Sequence, residues 1–209
     1  MSDVVIVDYG GGNLGSVAKL FSSLEIGFEI ATDAQRVASA KVVVLPGQGA
    51  IAQAMHQLKS LGLDLVLQER AAQNRPLLGI CLGMQLMVDW SDEDGGHPGL
   101  GIFPGKVVKF SPELGIKVPH MGWNQLELVQ DPEGYFSQIP MPAFAYFAHS
   151  YTVTDVAPEL VITTTFYGIS FPSIIGRGAV MGIQPHPEKS GDLGRQLIKA
   201  YLKRWVAGE

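Results

Sequence analysis

The chain has a single cysteine, and its neighbours suit it for chemistry. Cys81 stands in Gly79-Ile80-Cys81-Leu82-Gly83. Glycines two residues to either side have the form of a nucleophile elbow, with cysteine in the serine's place. Such an elbow turns abruptly from strand to helix, where larger side chains at those positions would collide. Free N–H groups and the macrodipole at a helix start favour thiolate over thiol. The N–H of Leu82 then points to where an oxyanion would form. The competing reading is an inert thiol buried behind a strand. A nucleophilic thiol needs a base, and the sequence offers His56, His97, His120, His149 and His186. His56 lies on a helix-like surface stretch and His97 in the acidic loop DEDGGH. His186 ends a strand-like run and is held extended by Pro187. Glu188, two residues on, then points to the same side and can fix the imidazole's tautomer. Cys81, His186 and Glu188 thus read as nucleophile, base and orienter. Alone, His-Pro-Glu reads better as a surface turn; Cys81 at the end of a neighbouring predicted strand tips it to the catalytic reading. A third piece is Leu45-Pro46-Gly47-Gln48-Gly49. Its glycines free the backbone to turn an N–H near Gly49 toward the same oxyanion, although taken alone a plain turn is the better reading.

The elements that must position these residues follow from apolar spacing. Strands are expected at Val4–Val7, Phe28–Ala31, Val42–Leu45, Leu77–Ile80 and Ala179–Gln184. Helices are expected from Asn13, a plausible N-cap, through Leu24; over 50–73 with a break near Gly62; over Leu82–Trp90; and at the end, where Leu193, Leu197, Ile198, Tyr201 and Trp205 share a face. This alternation predicts a parallel sheet with helices on both sides. Residues 91–178 are richer in glycine, proline and short alternating runs: Lys106–Phe110, Gln125–Val129, Ala145–Ser150 and Leu160–Thr165. They read as antiparallel sheet. The expected fold is mixed α/β, a largely parallel central sheet plus a smaller antiparallel section, in one domain spanning 1–209.

At 209 residues and 46% apolar composition, a substantial core is expected. No apolar run reaches the roughly 18 residues of a membrane span, and no signal peptide is evident. The net charge of −5 disfavours nucleic acid. One cysteine excludes an internal disulfide and a cysteine-cluster zinc site, and a cytoplasmic setting is expected. Gly10, Gly12 and Gly15 fit a dinucleotide-binding spacing, with Asp33 downstream. Asp8 would repel a pyrophosphate there, and Tyr9 adds bulk. A tight strand–helix turn or a partner contact explains the loop as well.

Together these pieces resemble the class I glutamine amidotransferases. GICLGMQ (79–85) is similar to their elbow and HPE (186–188) to their His–Glu pair. PHMGWN (119–124), YFAHSY (146–151) and HPEKSG (186–191) resemble the branch serving histidine synthesis. The likeness runs from VDYGGGN to the final helix. It implies a flavodoxin-like fold and hydrolysis of glutamine through a thioester on Cys81, with protons moved by His186 and Glu188. Leu82 and Gly49 would hold the oxyanion. By position, Gln85, Glu93, Ser150 and Tyr151 would grip glutamine, Glu93 at its α-ammonium. The ammonia would pass to a cyclase subunit, a (β/α)₈ barrel, in a heterodimer. The cyclase would join it to PRFAR, giving imidazole glycerol phosphate and AICAR. Asn13, Trp123 and Lys189 would face that partner, though Trp123 could equally lie in the core. No cofactor, metal, nucleic acid or membrane is implied. The other readings are a glutaminase subunit serving a different synthase, and a free-standing cysteine hydrolase. In one departure, Pro185 stands where many relatives carry phenylalanine. It removes an N–H and fixes φ, and is expected to shift the strand end without abolishing the triad.

Overall fold

A computed structural model describes residues 2–207. Short β-branched runs alternate with amphipathic stretches at the start of the chain, and strands alternate with helices accordingly. They are β1 (Val4–Val7), α1 (Leu14–Ser23), β2 (Phe28–Ala31), α2 (Ala34–Ser39), β3 (Val42–Gly47), α3 (Ile51–Ser60), α4 (Leu63–Ala72), β4 (Leu77–Cys81) and α5 (Leu82–Leu86). Gly62, at φ 64°, parts α3 from α4, as expected of a glycine in an otherwise helical run. The remaining strands are β5 (Val88–Ser91), β6 (His97–Pro98), β7 (Phe103–Lys109), β8 (His120–Leu128), β9 (Ala143–His149), β10 (Tyr151–Thr154), β11 (Val161–Tyr167), β12 (Ile169–Arg177) and β13 (Val180–Ile183). Helix α6 (Gly191–Leu202) follows them.

Nine strands form one sheet in the order β2-β1-β3-β4-β13-β12-β11-β8-β9. The first five are parallel, and β12, β11, β8 and β9 extend that sheet by antiparallel pairing. A second sheet, β10-β7-β5-β6, packs against one face. Side chains alternate across a strand, so β1 and β3 each feed two cores. Val4, Ile6, Val42 and Val44 meet α1 and α6 on one side. Val5, Val7, Val43 and Leu45 meet α2 through α5 and the small sheet on the other.

Helix α2 and strands β6 and β10 add to the expected elements, and the structure departs from them more sharply in two places. The helix expected over Leu82–Trp90 stops at Leu86, and Val88–Ser91 is a strand. Backbone N–H groups from a later segment claim the carbonyls a continuing helix would need. Leu100 N–H bonds Leu86 O at 2.7 Å, Ile102 N–H bonds Met87 O at 2.8 Å, and Gly101 N–H bonds Val88 O at 3.2 Å. Strand β12 (Ile169–Arg177) is not among the expected strands, and it contains Pro172 and Gly176. Pro172 is tolerated because β13 pairs with β12 only from Ile174 onward, leaving the proline outside the two-sided ladder.

Candidate active site

The end of β4 turns directly into α5 at Cys81, whose φ of 54° and ψ of −108° lie where non-glycine residues rarely sit. Such a conformation costs on the order of 1–3 kcal/mol and persists only where surroundings enforce it. The glycines show what enforces it. A Cβ on Gly83 would overlap the Leu45 carbonyl oxygen, and one on Gly79 would come within 2.7 Å of the Gly83 oxygen. A Cβ on Gly47 would fall 2.7 Å from Tyr9 Oη and 2.8 Å from Leu82 Cβ. Strands β3 and β4 can therefore close on the start of α5 only with glycine at all three positions. Helix α5 has five residues, so its help to a thiolate comes from its first free N–H groups rather than from a long dipole.

The register of the sheet brings the histidine to this corner. Ile80 on β4 pairs with Ile183 on β13, so the chain beyond each strand leaves side by side. His186 N–H is tied to Tyr146 O at 2.8 Å, and Ser190 Oγ–H donates to His186 O at 2.7 Å. The imidazole Nδ1 lies 2.8 Å from Glu188 Oε1. Pro187–Lys189 form a single 3₁₀ turn, so Glu188 reaches the imidazole through that turn and not along the extended chain expected from the sequence. Its side chain is only 1% exposed, and Asn13 Nδ2 donates to the same carboxylate oxygen at 3.4 Å. Asn13 occupies the N-cap position of α1 but makes no capping bond, because its amide is turned to Glu188. Burial alone would lower the His186 pKa. Hydrogen bonds to Cys81 and Glu188, with the attraction of their negative charges, outweigh burial and raise it to about 10. Pro185 leaves these contacts intact.

A cavity of about 310 Å³ opens onto Cys81 and His186. Gly49, Leu82, Gln85, Glu93, Ser150, Tyr151 and Lys189 line it as well, so the structure brings these sequence-selected residues together. Gly49 has φ 93°. Glu93 Oε2 accepts the Ile51 N–H at 2.7 Å, so this carboxylate also caps α3. Trp123 is 58% exposed, which excludes the core reading of that residue.

Tyr9–Gly12 border a cavity of about 420 Å³ together with Gln48, Gly49 and Ala50, but the loop's own contacts do not favour a pyrophosphate there. Asp8 Oδ1 takes the Gly10 N–H at 2.9 Å. A Cβ on Gly11 would lie 2.8 Å from the Tyr9 ring, and one on Gly12 would lie 3.4 Å from Gly47 Cα. Asp33 is spent capping α2 through the Arg36 N–H at 2.7 Å.

Three polar residues at the site were not singled out from the sequence. Gln184 is fully buried, and its Nε2 lies 3.6 Å from Cys81 Sγ. His149 belongs to the cavity wall and His120 is buried next to it, with Nδ1 of His120 2.9 Å from Nε2 of His149. Only the place of Gln184 two residues before His186 hinted at its role.

The profile of the "Glutamine amidotransferase class-I" family matches residues 5–204. A protein named imidazole glycerol phosphate synthase subunit HisH from Carboxydothermus hydrogenoformans is 45% identical over 195 residues, covering 93% of this chain and 96% of its own. The like-named protein of Lactiplantibacillus plantarum is 45% identical over 204 residues, covering 98% and 97%. Among solved structures, one described as a glutamine amidotransferase superposes with TM-score 0.75 at 17% identity, covering 98% of this chain and 99% of that one. PurLQS from Thermotoga maritima superposes with TM-score 0.71 at 16% identity, covering 98% and 99%. These two likenesses carry the fold.

Proposed function

The chain belongs to the class I glutamine amidotransferases, and from that premise we propose that it is the glutaminase subunit of imidazole glycerol phosphate synthase, acting in histidine biosynthesis. The observation that carries the mechanism is one cavity onto which Cys81 and His186 both open, with Glu188 hydrogen-bonded behind the imidazole. The Cys81 thiolate attacks the side-chain carboxamide carbon of glutamine. The tetrahedral oxyanion is held by the N–H groups of Leu82 and Gly49. Protonated His186 gives its proton to the departing nitrogen, and ammonia leaves a γ-glutamyl thioester. His186 then takes a proton from water, whose oxygen attacks the thioester. Glutamate departs, and Cys81 regains its starting state. Glu188 holds the imidazole's tautomer throughout. Gln85, Ser150, Tyr151 and Glu93 grip the glutamine backbone and amide from the cavity wall.

The ammonia goes to a cyclase subunit with a (β/α)₈ barrel, in a cytoplasmic heterodimer that carries out the lyase step on PRFAR. The outer face of the β8–β9 hairpin supports this docking. Met121 and Trp123 on β8 and Phe144 on β9 are all exposed apolar side chains there. Lys189 Nζ stands 5.6 Å from the Tyr146 ring on the same hairpin. Met121 and Lys189 also line the cavity, so a partner seated on this face meets the ammonia where it is released. Asn13 completes the docking edge beside Glu188. The test is glutamate release from glutamine, measured with and without the cyclase subunit and its ligand. Release is expected to be negligible for the chain alone and to rise when both are added. Fast turnover of the isolated chain, or no complex with the cyclase, overturns the proposal.

A further inference from the structure

Building on Cys81 as the nucleophile, we propose that Gln184 is a positioning residue that aims an amide N–H at the Cys81 sulfur. A single backbone carbonyl, that of Tyr151, dictates the direction of that amide.

A carbonyl oxygen only accepts, and Tyr151 O is met by two nitrogens. These are His149 Nδ1 at 2.8 Å and Gln85 Nε2 at 3.0 Å. Gln85 must therefore present its amino group and not its oxygen. The second Nε2 hydrogen of Gln85 goes to Gln184 Oε1, also at 3.0 Å. Both hydrogens are then committed, and Gln85 Oε1 is left as the acceptor of a residue that lines the cavity. With its oxygen engaged by Gln85, Gln184 can offer Cys81 only its amino group, at 3.6 Å. Turning the Gln184 amide over would set two amino groups against each other and an oxygen against the sulfur. In a fully buried place, that loses every partner it has.

The far side of the carbonyl obeys the same logic. His149 donates from Nδ1, so its Nε2 accepts from His120 Nδ1 at 2.9 Å. His120 Nε2 accepts in turn from Asn124 Nδ2 at 3.2 Å. Both histidines are neutral and each has one possible tautomer. No donor in the chain from β8 to the thiol can be reversed without breaking a bond. A fully buried glutamine at a strand end has a physical reason here, since it delivers a fixed N–H to the sulfur from the side away from the cavity.

Alkylation of Cys81 by iodoacetamide tests this on the isolated chain, with no cyclase or glutamine present. Q184M is expected to slow alkylation about fivefold at pH 6, the worth of one modest hydrogen bond to the anion, and to leave it within about twofold at pH 10. Q85M releases Gln184 to rotate and is expected to slow it about twofold at pH 6 only. If Q184M does not fold, Q85M carries the test. Equal slowing at both pH values, or none, overturns the proposal, because a packing role has no reason to depend on pH. A parent chain whose Cys81 resists the reagent at both pH values overturns the nucleophile as well. Reactive Cys81 with indifferent variants overturns Gln184 alone.

Discussion

Strands β3 and β4 bury polar groups at both ends, and the two ends solve the problem differently. At their amino ends Arg70, only 1% exposed, donates to the carbonyls of Val37, Ala38, Ala40, Lys41 and Pro76 at 2.9–3.3 Å. Burial and the nearby Arg75 charge pull its pKa down to about 10, which still leaves it charged at neutral pH. At the carboxyl ends Cys81 sits in a strained backbone conformation, and the buried Glu188 Oε2 finds no partner among the described residues. At the first end five carbonyls take up both terminal nitrogens of Arg70, and only its Nε is left without a partner among the described residues. The other places a strained thiol and an imidazole on a cavity, with a buried carboxylate behind them. A buried charge tied to five backbone carbonyls contributes to folding, whereas one paired with a reactive imidazole contributes to chemistry.

The sharpest way to break this contrast is to remove the thiol. Cys81→Ala is expected to lower glutaminase activity by at least ~10⁴-fold in the cyclase complex. Its melting temperature should stay within about 2 °C of the parent's, because little is lost but a sulfur in a cavity. A large drop in melting temperature would mean that the elbow is held together by its cysteine rather than by its glycines.

Arg70→Met is the mirror experiment. It strands five carbonyls and is expected to cost about 3 kcal/mol or more. That corresponds to a fall in melting temperature on the order of 10 °C for a chain of this size. Alkylation of Cys81 well below the transition should be unchanged. Altered alkylation would show that the two ends are mechanically coupled through β3 and β4.

How much of this was legible in the sequence differs between the same two ends. The catalytic corner announced itself because its constraints are local. Gly79, Cys81 and Gly83 are fixed by one turn, and His186 and Glu188 by another. Strands β1 and β2 were readable to the residue: β1 is a continuous apolar run after Asp3, and β2 is a short stretch around Glu29 set between Gly27 and Thr32. Arg70 gave no sign, because its partners come from the segment before β3 and the turn before β4, up to 33 residues away. The early end of α5 was hidden for the same reason: residues 100–102 stop that helix, not its own composition. Gln184 and the His120–His149 pair stayed unread because their meaning lies in the pairing of Ile80 with Ile183 and of His120 with His149.

Glu188→Gln sharpens the contrast within the corner itself. The amide oxygen can still accept from Nδ1, but the negative charge is gone. A fall in kcat of about 10²-fold with KM nearly unchanged is expected. His186 should also titrate well below about 10 in the variant, followed by NMR of the imidazole. In the parent, His186 has a folded-state pKa above its unfolded value. Its stabilising contribution is full below about pH 6.5 and is lost as pH rises toward 10. The variant should lose less stability over that alkaline window. An unchanged alkaline profile would assign the raised pKa to Cys81 alone.

The histidine pair carries the comparison to its smallest effect. Arg70 keeps its charge in the interior because five acceptors surround it. His120 and His149 shed theirs because the Tyr151 carbonyl, a neighbouring ring nitrogen and aromatic faces cannot support a cation. Burial lowers the His120 pKa to about 4. Burial, with the charges of His120 and His186, lowers the His149 pKa to about 3 against the opposing bond to Tyr151 O. An unfolded histidine titrates near ~6.5, so the unfolded chain takes up these protons first. The stability they represent is full above about pH 6.5 and drains as pH falls toward 4 and then 3. Each contributes a slope of about 1.4 kcal/mol per pH unit inside that window. His149→Asn keeps an N–H for the Tyr151 carbonyl and removes one titrating base. It should be less stable than the parent at pH 7, yet its urea midpoint should fall more gently between pH 6 and pH 5. A parallel acid slope in parent and variant would show that the carboxyl end, like the amino end, can hold a cation.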